Sequence, residues 1–240
     1  LAFRKVDLEP LRRELIARTQ RDFGDANALM DLSYVLSTMG QTELALTLQT
    51  EALSLSRHFT LQSTQPEKLR LLALMMPGAL MDNMPLEFLV NGTDVTLDML
   101  YLDADPAQWP QQWPAHDVAC IAVCESPEAR SMLDLLAQHM HRLPRPTLNQ
   151  PARIADLARD TAWRRLQALP GCVMPPSVAV SRAALTTLLA SSEAATSGWA
   201  DLWRGAHYPI ICRPAGSHAG HGLGKIDDDS ALAAYLAATD

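Results

Sequence analysis

Cysteine is scarce in this 240-residue chain and lysine scarcer still. The four cysteines, Cys120, Cys124, Cys172 and Cys212, form no C-x-x-C pair, and three of them lie within apolar runs. That pattern argues against a disulfide framework or a thiolate zinc site, and reduced buried thiols point to the cytoplasm. Lysine occurs only at positions 5, 68 and 225; the net charge is −7 and the pI about 5.5. An electrostatic footprint for nucleic acid or an anionic membrane is therefore missing. No apolar run approaches the roughly 18 residues of a membrane span, and the charged N-terminus is unlike a signal peptide. Nor does any Ser-His-Asp or Cys-His spacing favour nucleophilic catalysis. What remains is ordinary globular material, 48% hydrophobic and 20% charged. It is long enough for one large domain or two modest ones with real cores.

The most informative stretch runs from Tyr208 to Ile226. An apolar run, Ile210 to Cys212, leads into Arg213 and Pro214, and four glycines follow within nine positions: Gly216, Gly220, Gly222 and Gly224. A strand that delivers a cation to a Gly-rich loop lets the backbone approach an anion closely. Glycine has no Cβ in the way and permits φ > 0, so successive N–H groups can converge on one phosphate. A plain flexible turn between two strands is the simpler reading of the same residues.

Spacing excludes two familiar phosphate loops. Five places before Gly224-Lys225, where a Walker A loop needs Gly, stands Ala219, and Ile226 follows the Lys. The dinucleotide fingerprint fails because Lys225 stands three places after Gly222. Pro209, Ile210, Ile211, Arg213, Pro214, Gly216, Ser217, Gly220 and Gly222 resemble instead the phosphate strand and loop of the ATP-grasp superfamily. That superfamily includes glutathione synthetase, D-alanine–D-alanine ligase and the ligases that add glutamate to a ribosomal protein. One residue more than in the family separates Ser217 from Gly220. A second patch is similar to the family's lead-in to that domain: Thr147-Leu-Asn-Gln-Pro151, Arg159-Asp160, Leu169-Pro-Gly171 and Pro175-Pro-Ser177. The family's Lys after Asp is Thr161 here, and Arg164 or Arg165, one turn on, are the candidate replacements.

The remainder reads as an α/β chain in three parts. Residues 1–62 are helical: Leu8, Leu11, Leu15 and Ile16 form one stripe, and Asp25 caps a second helix carrying Leu29, Leu32 and Leu36. A third helix presents Ala45, Leu48, Ala52 and Leu55. Small residues at 45 and 52 resemble the second helix of a tetratricopeptide repeat; an ordinary helical hairpin fits as well. Residues 66–150 read as a small, mainly parallel α/β layer of the kind that precedes the ATP-grasp domain. Its strands are expected at Leu69–Met76, Val95–Leu102, Val118–Val123 and Pro146–Leu148. A short helix spans Leu86–Val90, and Ser126-Pro127 starts another that carries Met132, Leu133, Leu136 and Met140. Residues 151–240 read as the first lobe of an ATP-grasp domain: a helix over about 153–169, a strand at Val178–Val180, a helix at Arg182–Leu189, a mobile stretch over 191–198, the phosphate strand and loop, and a last helix capped by Asp229.

The candidate nucleotide-binding residues are Arg213, Gly216, Ser217, His218, Ala219, Gly220, Gly222 and Arg164. Arg213 either grips phosphate oxygens with its planar fork or pairs with a carboxylate. The loop amides from 217 to 220 either cap a triphosphate or form a hairpin tip. His218 and His221 in the loop lack the acidic or thiol partners of a metal site, and His139 and His141, two apart on a helix, diverge. Asp227, Asp228 and Asp229 read as a solvated helix cap. Trp109, Trp113, Trp199 and Trp203 read as packing anchors.

The resemblance implies an ATP- and Mg²⁺-dependent ligase joining a carboxylate to an amine through an acyl phosphate. In the family the acidic Mg²⁺ ligands follow the glycine loop on a second lobe. The chain starts without Met and stops within a helical pattern, so a fragment is expected, one that lacks a complete site and does not turn over. The competing expectation is a tetratricopeptide-type scaffold that binds a protein partner through its helices.

Overall fold

The computed structural model describes residues 6–190, 207–217 and 220–239. The stretch expected to be mobile, 191–198, lies outside the described residues, as do Trp199, Trp203, His218 and Ala219. The protein is a mixed α/β structure with two compact units. One comprises the described residues up to Glu125 with Ala129–Ala155; the other comprises Ser126–Glu128 with the described residues from Asp156 onward.

Three helices come first. Pro10 stands at the start of α1 (Glu9–Arg21), where its missing N–H costs nothing, and Arg18 and Arg21 in the last turn complement the helix dipole. The carboxylate of Asp25 caps α2 (Ala26–Thr38), accepting from the amide of Ala28 at 2.8 Å. Gly40, at φ 81°, ends that helix in a conformation other residues adopt at a cost. The chain then returns as α3 (Thr42–Leu55), in which buried Ala45 and Ala52 let the two helices approach closely. Leu55, expected on the packed stripe, faces solvent.

The sheet that follows has the strand order β1-β3-β2-β4-β5. Its members are β1 (His58–Leu61), β2 (Leu69–Met75), β3 (Val95–Tyr101), β4 (Val118–Ile121) and β5 (Thr147–Leu148). β1 is antiparallel to β3; every other pair is parallel. Alternation along β2 divides the core. Leu71, Ala73 and Met75 face Leu29, Met30, Ala52 and Leu53 of the helical hairpin. Leu72 and Leu74 face Met132, Leu133 and Leu136 of α5 (Arg130–His139). Parallel strands covered on both faces read as continuous apolar runs, which is why β2, β3 and β4 are visible in the sequence. Each fully buried Leu of this layer stabilises the fold by about 1.5–3 kcal/mol. Helices and sheet thus share one core, although the sequence reading separates 1–62 from 66–150.

A short helix, α4 (Leu86–Val90), stands between β2 and β3 as expected. Other elements depart from the reading. β1 falls inside the stretch read as helical: only Phe59 of its four residues is buried, so its alternation is faint, and pairing with β3 forms it. Ser126-Pro127 does not start a helix. α5 begins at Arg130 behind Ala129, and residues 126–128 belong to the second unit.

The second unit begins after α6 (Pro151–Ile154). The single helix expected over 153–169 is interrupted, and α7 (Arg159–Leu166) starts only after Ala158. Ile154 is buried with the sheet, whereas α7 buries nothing fully, so the two pieces serve different cores. Val178–Val180 is not a strand: no described neighbour pairs with it. α8 (Arg182–Ala190) forms as expected. The last helix, α9 (Asp229–Ala238), is capped by Asp228 rather than Asp229; the Asp228 carboxylate accepts from the amide of Ala231 at 2.8 Å. Asp229 instead accepts from the hydroxyl of Tyr208 at 2.6 Å. No helix among the described residues is long and apolar enough to cross a membrane.

Candidate functional site

β6 (Ile210–Cys212) and β7 (Gly224–Ile226) form an antiparallel pair with Cys212 opposite Gly224. Ile210 and Cys212 pack with Ile226, Leu232 and Tyr235, while Ile211 faces outward. The strand thus ends by presenting Arg213 at the mouth of the loop. Ser217 turns back on the strand: its amide and hydroxyl both donate to the carbonyl of Pro214, at 3.3 and 2.8 Å.

Arg213 faces this turn. Its Nε donates to Oγ of Ser217 at 3.1 Å, and its Nη2 donates to the Ser217 carbonyl. Arg159, the first residue of α7, donates from Nη2 to that same carbonyl at 3.0 Å. Neither guanidinium has a carboxylate partner among the described residues. Burial pulls the Arg213 pKa below its ordinary value, and the charge of Arg159 adds to the effect. The group stays cationic at neutral pH, because arginine starts so high.

Three loop glycines have left-handed backbones: Gly216 at φ 71°, Gly220 at φ 82° and Gly222 at φ 62°. Two of them are also hemmed in. A Cβ on Gly216 would lie 2.5 Å from Cδ of Pro127, with a carboxylate oxygen of Glu128 at 3.6 Å. On Gly222 it would meet Cδ of Pro214 at 2.6 Å. At Gly220 no described residue comes within 4 Å of that position. Among the described residues the amides of Gly216, Gly220 and Gly222 donate to nothing. Backbone amides without an acceptor, beside a cation, are groups that can receive an anion.

Of the sequence candidates, Arg213, Gly216, Ser217, Gly220 and Gly222 stand together in this hairpin, and His218 and Ala219 lie outside the described residues. Arg164 does not join them. It donates to Asp160 at 2.7 Å and to Thr161 at 3.1 Å, along its own helix, because the i,i+4 spacing offers the nearer carboxylate. Arg165 pairs with Asp156. The group that reaches the loop is Arg159, and only its place at the head of the Arg-Asp patch hinted at it. Tyr235 is a second unforeseen contributor, donating from its hydroxyl to the Gly222 carbonyl at 2.7 Å.

The remaining candidates have structural roles. His139 and His141 each donate from Nδ1 to a carbonyl of their own helical segment, Leu135 and Gln138. Trp109 and Trp113 anchor loops through their indole N–H groups, to Asp103 at 2.7 Å and to Arg142 at 2.9 Å. All four cysteines are free, and burial raises the thiol pKa of Cys120, Cys124 and Cys212. Among the described residues no cluster of three His, Cys, Asp or Glu side chains is placed to hold a metal ion.

A polar cluster also lies on the sheet. Asp98 of β3, 1% exposed, accepts from Nε2 of His58 at 2.8 Å, from the Thr60 hydroxyl at 2.7 Å and from Arg70 at 3.3 Å. It fastens the edge strand β1 to its neighbours. No family model matches the chain, and no curated protein matches it.

Proposed function

We propose that the hairpin from 210 to 226 holds the phosphate tail of ATP, and that the chain is part of an ATP-grasp-like carboxylate–amine ligase of the cytoplasm. One observation carries the reading. A strand delivers Arg213 to a loop in which Gly216, Gly220 and Gly222 have left-handed backbones and amides that donate to nothing among the described residues. Loop amides that meet no acceptor among the described residues, beside a guanidinium that no described carboxylate neutralises, fit an anionic group with several oxygens. Arg213, Ser217 and the amides of Gly216, Gly220 and Gly222 would hold it. When bound, ATP supplies the phosphoryl group that activates the carboxylate. These residues position and neutralise that tail; electrostatics and orientation are most of what such chemistry asks of a protein. The Mg²⁺ that the resemblance implies has no cluster of three His, Cys, Asp or Glu side chains to hold it among the described residues.

The scaffold reading draws on the close packing of α2 and α3 at Ala45 and Ala52. Both alanines are engaged in the protein's own core, Ala45 with α1 and α2 and Ala52 with the sheet. Isothermal titration of the intact gene product with ATP and Mg²⁺ tests the ligase reading. Binding heat that Arg213→Ala abolishes is the expected result; no heat, with Arg213→Ala indistinguishable from wild type, favours the scaffold.

A further inference from the structure

We infer that Arg159 and Arg213 form a two-guanidinium clamp selective for a phosphoryl dianion, the Ser217 carbonyl standing where one phosphate oxygen would bind. This rests on the proposed nucleotide reading and deepens it by naming a second cation and the charge state of the ligand. Two cations share one neutral acceptor, the Ser217 carbonyl, although each could serve an anion. Like charges that close repel, and the lowered pKa of Arg213 reflects Arg159 as well as burial. Elsewhere on α7 and beside it the arginines are paired with carboxylates, Arg164 with Asp160 and Arg165 with Asp156. Among the described residues Arg159 and Arg213 are not.

The chemistry that would suit both guanidinium groups follows from counting charges and oxygens. A carboxylate would neutralise one guanidinium and leave the other uncompensated. A terminal phosphoryl group carries close to two negative charges at neutral pH and three acceptor oxygens. It can receive a fork from each arginine and replace the weaker bonds to the peptide carbonyl. The family pattern has a lysine two places further along, where Thr161 stands; Arg159 supplies the cation from the start of the same helix.

The test uses the full chain and inorganic pyrophosphate, compared with acetate at matched ionic strength, by isothermal titration. Wild type should bind pyrophosphate and not acetate. Arg159→Ala and Arg213→Ala should each weaken pyrophosphate at least tenfold, Arg159→Lys should recover part of the loss, and Arg164→Ala should change nothing. Arg159 is exposed, so its variants should keep the wild-type circular dichroism. Binding of inorganic phosphate should strengthen as pH rises through its second ionisation, and lose that dependence in Arg159→Ala. If Arg159→Ala binds like wild type while Arg213→Ala loses ATP, the clamp is wrong and the nucleotide site stands. Equal binding of acetate and pyrophosphate also overturns the clamp. If neither ATP nor pyrophosphate binds, both readings fall.

Discussion

The hydroxyl of Tyr235 donates to the carbonyl of Gly222 at 2.7 Å, so the last helix holds the far limb of the glycine loop. The same ring closes on Gly224, where a Cβ would come within 2.9 Å of it. Tyr235→Phe keeps the ring and removes the bond. It should cost about 0.5–1.5 kcal/mol in urea denaturation and weaken ATP binding more than it weakens folding. An unchanged ATP affinity would separate the helix from the site.

The loop glycines should differ in a predictable order. Gly220→Ala meets only the left-handed backbone penalty, about 1–2 kcal/mol, because no described residue crowds it. Gly216→Ala and Gly222→Ala add collisions with Pro127 and Pro214, and overpacking of that kind costs a further 1–3 kcal/mol or about that. Denaturation midpoints of the three variants check the ranking, which fails if Gly220→Ala is the worst.

Asp98→Ala should be among the most destabilising single changes in the sheet unit. It strips three donors, on His58, Thr60 and Arg70, of their common acceptor. Breaking a buried charge pair costs about 3–5 kcal/mol, and the part-exposed partners His58 and Arg70 place this case toward the lower end. Asp98→Asn keeps an acceptor and should lose less.

Alkaline unfolding should begin at the joined hydroxyls of Tyr34 and Tyr101. Burial raises both above the ordinary value of 10.0, Tyr34 to about 12, and the charge of Glu87 adds to each. Folded values above the unfolded one mean that this contribution is complete below pH 10 and is lost as pH rises through about 12. The denaturant midpoint should therefore fall across that window, with tyrosinate absorbance rising late. Tyr34→Phe should flatten the fall; an identical slope in the variant would assign the loss to other groups.

Much of this architecture is legible residue by residue. Val118–Ile121 is apolar throughout, and Leu69–Met75 and Val95–Tyr101 are mostly so, with Arg70, Thr96 and Asp98 the exceptions, because both faces of the strands are covered. Val178–Val180 carries a similar local signal and fails, since a strand needs a partner that no local pattern can promise. His58–Leu61 is the reverse case, a strand made by its neighbour. At the site, Arg213 and its glycines are sequence neighbours and can be read together. Arg159 stands 58 positions from the carbonyl it touches, and only folding brings it there.

Because β2 lies in the middle of the sheet, with β3 on one edge and β4 on the other, its peptide groups are locked from both sides over Leu71–Leu74. Deuterium can reach those amides only when the whole unit opens, whereas the short outer strand β5 frays alone. The exchange rate at these four residues therefore reports the global stability of the first unit, and serves as a gauge for every core substitution made in it.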